Sequence, residues 1–177
     1  MGDNGAKRNQ EVIAMSIFPT RVLLATDDSE NAAHATDAAA QLSEETGSEL
    51  HVLYVGEDAY SSTLVYPDDA DPGGAQWDDP VLVGQLQRQF EQMSRRVLGA
   101  EAQKVREAGG TVAQAHLRMG KADIEIVELA KEIDAGLLIL GSRGLGGVRR
   151  ALMGSVSDSV VRHAHCPVLV VRKEGER

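Results

Sequence analysis

The sequence is poor in cysteine, in aromatic residues and in long apolar runs. Cys166 is the single cysteine among 177 residues, so an internal disulfide and a four-cysteine zinc site are both excluded. Aromatic residues make up 3% of the chain, and the core must therefore consist mainly of aliphatic side chains. The apolar runs are far shorter than the roughly 18–20 residues that span a bilayer. We expect a cytoplasmic protein that does not enter a membrane.

The N-terminal segment also lacks a recognisable targeting signal. Its apolar part, VIAMSIF, is too short and too interrupted for a secretory signal. Residues 1–19 show no clear helical or strand period, and we interpret them as a flexible arm. The remaining residues, 20–177, have the length of one ordinary domain.

Positive charge is scarce in the first half of the chain, and the net charge is −9. Residues 20–55 hold seven acids and one base, and residues 56–80 hold seven acids and no base. This second segment is rich in proline, glycine and aspartate, which predicts a long exposed loop. Most of such a surface would repel nucleic acid. Residues 81–177 hold fifteen bases and eleven acids, and the bases near the glycine-rich stretch could hold a small anion.

What the sequence does contain is a regular alternation of apolar runs and helical patterns. The apolar runs are RVLLATD, ELHVLYV, TVAQAHLRM, AGLLIL and PVLVVR, and segments with helical spacing lie between them. Strands that alternate with helices return by crossovers and therefore pair in parallel. The predicted fold is α/β: an open five-stranded parallel sheet with helices on both faces. In such a sheet, ligands bind beyond the carboxyl ends of the strands.

Glycines cluster after the fourth predicted strand, in LLILGSRGLGGVRRALMGSVSDSV. This stretch contains Gly141-x-x-Gly144, then nine residues, then Gly154-Ser155 at the start of a predicted helix. The stretch does not match the P-loop pattern, because the lysine of that pattern is absent. It does not match the dinucleotide-binding pattern G-x-G-x-x-G either, because Arg149 occupies the position of the last glycine. Glycines nevertheless let backbone N–H groups approach an anion, and a helix N-terminus favours phosphate.

Two simpler interpretations of these residues stay open. Gly141 alone could mark a tight turn. Ser155 could cap its helix, with Asp158 completing a capping box, whether or not it also contacts a phosphate.

The pattern G-x-x-G-x9-G-[ST] resembles the signature of the nucleotide-binding branch of the universal stress protein family. LLATDDSENAAHA is similar to the first strand and turn of that family, and HCPVLVV is similar to its last strand. The resemblance covers residues 20–173. It implies a Rossmann-like sheet with strand order 3-2-1-4-5, of the adenine nucleotide alpha hydrolase type. It also implies a bound ATP and a homodimer formed through the last strand, Pro167 to Val171.

The resemblance further assigns roles to individual positions. Ala25 would line the base pocket, Asp27 would contact the adenosine, and the backbone of Val55 would contact the adenine. Leu140 and Gly141 would border the ribose. The residues whose backbones would surround the phosphates are Gly144, Gly154, Ser155 and Val156.

Two charged residues bear on this assignment. Arg143 lies inside the loop and could reach a phosphate. Any bound Mg²⁺ or Mn²⁺ would be held by the phosphates of ATP and not by the protein. Many members of the family have glycine after the aspartate, where this chain has Asp28. A second carboxylate that pointed into the cleft would weaken phosphate binding.

The sequence shows neither a nucleophile–base pair on a convincing loop nor metal-ligand spacing. The favoured function is therefore an ATP-binding regulatory module of the stress response, not an enzyme, with an unknown client protein. Two alternatives stay open. One is a slow ATPase or nucleotidyl-transfer enzyme on the same fold, and the other is an interaction protein that binds no nucleotide.

Overall fold

The computed structural model describes residues 20–56, 80–144 and 153–172. The predicted N-terminal arm and the body of the predicted acidic loop lie outside these ranges. Within them, five strands alternate with four helices: β1 (Arg21–Thr26), α1 (Glu30–Thr46), β2 (Glu49–Gly56), α2 (Pro80–Glu107), β3 (Val112–Met119), α3 (Ala122–Glu132), β4 (Leu137–Gly141), α4 (Ser155–His163) and β5 (Val168–Val171).

The strands form one parallel sheet in the order β3-β2-β1-β4-β5. Central strand β1 places Leu23 opposite His51 of β2 on one side and opposite Leu138 of β4 on the other. The predicted α/β class and strand order are both confirmed. Because successive connections run in opposite directions from the centre of the sheet, a crevice forms at the carboxyl ends of β1 and β4.

Local sequence explains the bounds of α1. Ser29 has an extended backbone, and its Oγ accepts a hydrogen bond from the Ala32 amide at 3.1 Å, which caps the first turn. Gly47 ends the helix in the left-handed conformation, with φ at 67°, and its N–H donates to the carbonyl of Ser43. Serine and glycine are residue types typical of these two positions.

Helix α2 is longer than its sequence pattern predicts. The helical spacing begins at Leu86, whereas α2 begins at Pro80 and ends at Glu107. Proline suits the first turn because its fixed φ is helical and its missing N–H has no partner there. Since β2 also extends to Gly56, the predicted loop bounds of 56–80 include one residue too many at each end. Within the described ranges, none of the helices combines the length and apolar character needed to cross a membrane.

Apolar side chains cover both faces of the sheet. The strand residues that pack towards α1 and α2 are Val22, Leu24, Leu50, Val52 and Ile139. Those that pack towards α3 and α4 are Leu23, Ala25, Leu53, Leu138 and Leu140. Burial of one valine or leucine side chain contributes roughly 1.5–3 kcal/mol. With both faces covered, the ends of the strands are left for ligand binding.

Candidate functional site

A cleft of about 990 Å³ opens at the carboxyl ends of β1, β2 and β4. The middle of α2 and the first turns of α3 and α4 complete its walls. Ligand pockets in proteins commonly enclose about 300–1,000 Å³, so a nucleotide would fit. A smaller hollow of about 330 Å³ lies between α1 and α2 and contains none of the predicted site residues. The larger cleft is therefore the candidate site.

The structure brings all ten predicted site residues to the wall of this cleft. They are Ala25 and Asp27 at the end of β1, Val55 in β2, Leu140 and Gly141 in β4, Arg143 and Gly144 after β4, and Gly154, Ser155 and Val156 at the start of α4. Their contacts with a nucleotide stay a prediction, but their common location is a property of the fold.

Asp27 is held through its contact with Ser29. Its Oδ1 accepts a hydrogen bond from the Ser29 amide at 3.1 Å, and Oγ of Ser29 donates to the Arg143 carbonyl at 3.3 Å. The turn after β1 is thereby tied to the loop after β4. A carboxylate held in this way offers an acceptor at a fixed place in the cleft.

Gly144 makes room for this carboxylate. A Cβ added at Gly144 would lie 2.2 Å from Oδ2 of Asp27, which is much closer than a non-bonded contact allows. The first reason for this glycine is therefore the close approach of Asp27, and it does not depend on a phosphate. Gly144 has no positive φ, so space and not backbone conformation requires glycine here.

Gly141 likewise serves a close contact within the protein. A Cβ added there would lie 2.9 Å from the carbonyl carbon of Asn31 and 3.0 Å from the Ala32 nitrogen, both in α1. The carbonyl of Gly141 accepts a hydrogen bond from Oγ of Ser157 at 2.8 Å. Gly141 thus lets the end of β4 meet two helices, which the tight-turn interpretation does not capture.

The start of α4 is more open. Gly154 is the N-cap, with φ at −73° and ψ at 159°, and none of the side chains that the structure describes caps this helix. Its own N–H donates to the carbonyl of Ser142 at 2.8 Å. The predicted cap at Ser155 is wrong, because Ser155 is already helical. Asp158 forms an ion pair with Arg162 at 2.9 Å instead of closing a capping box.

Asp28 does not enter the cleft. Its Oδ1 lies 2.6 Å from Nζ of Lys104 in α2, and this contact holds the pKa of the carboxyl below its usual value. Asp28 therefore does not place a second carboxylate in the cleft, where it would weaken phosphate binding. The residues that give the cleft its charge are instead Asp27, Arg143 and Lys121, so bases outnumber acids on its described walls.

One wall of the cleft was missed by the sequence interpretation. Phe90, Met93 and Val97 of α2 line it, although their spacing in the sequence indicates only a helix. Gly56 explains their position, because a Cβ added there would lie 2.4 Å from Oγ of Ser94. The absence of a side chain at Gly56 lets α2 lie against the end of β2 and supply an apolar surface suited to a flat ring.

Comparison with known proteins agrees with this architecture. A family model described as the universal stress protein family matches residues 19–172. The protein called Universal stress protein YxiE, from Bacillus subtilis (strain 168), is 31% identical over 152 residues. That alignment covers 86% of this chain and 98% of the relative.

Two solved structures extend the comparison. Universal stress protein UspA from Lactobacillus plantarum gives a TM-score of 0.67 at 25% identity, over 86% of this chain and 97% of that one. A universal stress protein in complex with cAMP gives a TM-score of 0.55 at 23% identity, over 86% and 96% of the two chains. At this identity the second likeness concerns the fold.

Proposed function

The chain belongs to the universal stress protein family, and on that premise we propose that it is a regulatory module that binds ATP. One observation carries the proposal: the start of α4, where no side chain of the described ranges caps the helix, opens into the same cleft as Asp27 and the apolar wall of α2. A helix N-terminus favours phosphate, and an apolar wall favours a base. Both features line one pocket.

We assign the parts of ATP to this pocket as follows. The adenine would lie between the ends of β1 and β2 and the apolar wall of α2, with Ala25 and Val55 against it. Asp27 would accept hydrogen bonds from the ribose, next to Leu140 and Gly141. The phosphates would face the first amides of α4, with Arg143 beside them and any Mg²⁺ or Mn²⁺ carried on their oxygens.

Comparison supports the same class of ligand. One protein that shares this fold was solved in complex with cAMP, which is an adenine nucleotide. For this chain the argument rests on the geometry of its own cleft, in which Asp27, Arg143 and Lys121 give a weakly basic lining suited to a polyphosphate.

The test is direct. Protein purified without added nucleotide is denatured, and the released small molecules are identified by mass spectrometry. Calorimetry then compares ATP, GTP and adenosine. We expect ATP to bind more tightly than adenosine because of the phosphates, and more tightly than GTP because of the base pocket. No bound nucleotide and no heat of ATP binding would favour an interaction protein instead. Sustained phosphate release that is lost in Asp27→Asn would favour a slow ATPase.

We also propose a homodimer through β5. This strand pairs on one side with β4 and forms an edge of the sheet, and Leu169 within it is 41% exposed. An apolar edge strand invites pairing with another chain. Light scattering should show a dimer for the parent protein and a monomer for Leu169→Asp. Ile124→Asp, at a comparably exposed residue of α3, should remain dimeric. A monomeric parent would refute the assignment.

A further inference from the structure

Asp28 has a strained backbone at a place that matters for the cleft. Its φ is 63°, in the left-handed region that residues with a Cβ disfavour. Asp28 joins Asp27, which lines the cleft, to Ser29, which caps α1. The direction in which the Asp27 carboxylate points therefore depends on the backbone conformation of its neighbour.

Lys104 of α2 contacts Asp28 from outside the cleft. Its Nζ donates hydrogen bonds to Oδ1 of Asp28 and to Oε1 of Glu101, both at 2.6 Å. Glu101 is 1% exposed, and its Oε2 accepts a hydrogen bond from Oγ1 of Thr26 at 2.7 Å. The residues before and after Asp27 are thus both tied to α2 through one buried carboxylate and one ammonium group.

Neither Lys104 nor Asp28 lines the cleft, so their effect on a ligand must be indirect. We propose that Lys104 is a positioning residue for the nucleotide site: it holds Asp28 in the left-handed conformation and thereby aims the carboxylate of Asp27. The inference rests on the proposed function, because it assumes that Asp27 contacts the bound nucleotide.

The rescue experiment follows from the φ angle of Asp28. Lys104→Met removes the ammonium group but keeps most of the side chain's length. We expect it to weaken ATP binding about tenfold, which is within the range seen for residues that act on a site without touching the ligand. Glycine adopts a positive φ freely, so adding Asp28→Gly to Lys104→Met should recover most of the lost affinity. Lys131→Met, on the exposed surface of α3, is the control and should leave ATP binding unchanged.

A second double variant separates conformation from charge. Asp28→Ala removes the same carboxylate as Asp28→Gly, but alanine disfavours a positive φ. Adding Asp28→Ala to Lys104→Met should therefore not restore ATP affinity. Equal rescue by alanine and glycine would overturn the proposal, since the charge of Asp28 would then explain the loss. Unchanged ATP affinity in Lys104→Met would overturn it as well.

A measurement without ligand distinguishes this inference from the proposed function. The amide resonances of Ser29 and Gly144 report on Asp27, because one donates to its carboxylate and the other lies against it. Lys104→Met should shift both resonances, and addition of Asp28→Gly should move them back towards the parent positions. Unchanged resonances would refute the positioning role even if ATP binds. If these shifts occur but the parent binds no ATP, the proposed function fails while the control of Asp27 by Lys104 stands.

Discussion

The two ends of the glycine motif look alike in the sequence but differ in what surrounds them. Gly141 and Gly144 are packed against protein: an added Cβ would lie 2.9 Å from the backbone of α1 in the first case and 2.2 Å from Oδ2 of Asp27 in the second. At Gly154 the nearest described atom to an added Cβ, the Cα of Arg143, is 3.4 Å away, which is an ordinary contact.

This difference separates two reasons for a glycine in a binding loop. The first two glycines make room for contacts within the protein: Gly141 for the backbone of α1, and Gly144 for the carboxylate of Asp27. None of the residues that the structure describes lies close enough to Gly154 to require glycine there, and its φ of −73° suits any residue. A ligand that approaches the start of α4 closely would explain why this position is glycine. The contrast therefore predicts different behaviour for substitutions that the motif alone treats as equivalent.

The largest effect is expected for Gly144→Val. The new side chain would displace the carboxylate of Asp27, which is held by the Ser29 amide, and would also stand beside the phosphates. The strands and helices do not depend on this contact, so the protein should fold. We expect ATP binding to weaken at least about a hundredfold, through loss of hydrogen bonds worth roughly 1.5–3 kcal/mol each. The affinity for adenosine should fall about tenfold or more, because the proposed contact of Asp27 is with the ribose.

Calorimetry with both ligands decides this prediction, with circular dichroism as the check on folding. A folded variant that binds ATP and adenosine like the parent would show that neither Asp27 nor this part of the loop contacts a nucleotide.

Gly154→Val should have a narrower effect. Valine fits the backbone conformation of Gly154 but places a branched side chain over the first amides of α4. ATP binding should weaken about a hundredfold, as two charge-assisted hydrogen bonds are lost. Adenosine binding should change less than about threefold, since the proposed contacts of the base and ribose, at Ala25, Asp27 and Val55, do not include the start of α4. An equal loss for the two ligands would contradict the assignment of the phosphates to α4.

The sequence predicts the fold and the location of the site, but it does not show which glycines of the motif are packed against the protein. Apolar runs and helical spacing indicate a parallel α/β sheet, and the spacing of the motif from Gly141 to Ser155 indicates a loop at the end of β4. The contact of Asp27 with Gly144, and that of Lys104 with Asp28, join residues far apart in the chain. No local pattern reports such contacts, because they depend on how the helices pack across the sheet.

A smaller effect, on stability alone, tests the same contrast with one substitution at two sites. Gly141→Ala places its Cβ against the backbone of Asn31 and Ala32, which cannot move away without shifting α1. We expect the free energy of unfolding to fall by about 2 kcal/mol, the typical cost of overpacking. Gly154→Ala should lower it by less than about 1 kcal/mol, the cost of a poorer N-cap. Urea unfolding measures both values. Equal losses would mean that the two ends of the motif are packed alike.

The smallest expected effect is on the pH dependence of stability, and it concerns a contact between two histidines that lie away from the cleft. Nδ1 of His51 and Nε2 of His116 are 2.9 Å apart on neighbouring strands β2 and β3. Burial lowers the pKa of both imidazoles, and His116 is lowered further by His51 and by Arg118. The charged groups around the pair are Arg21 and Glu49 beside His51, and Arg118 and Glu132 beside His116.

Because folding lowers these pKa values, the unfolded chain binds more protons than the folded chain when the pH is near or below the unfolded pKa. The stability that depends on the neutral pair is therefore complete above the unfolded pKa of about 6.5 and is lost as the pH falls below it. Urea unfolding from about pH 7 to about pH 5 should show this decline, and His116→Gln should reduce it by leaving a single buried imidazole. His165→Gln, at an exposed histidine, should leave the decline as it is. ATP affinity should not follow the same pH profile as stability, because neither His51 nor His116 lines the cleft.

A decline in stability that is identical in the parent and in His116→Gln would show that groups other than this histidine pair cause it.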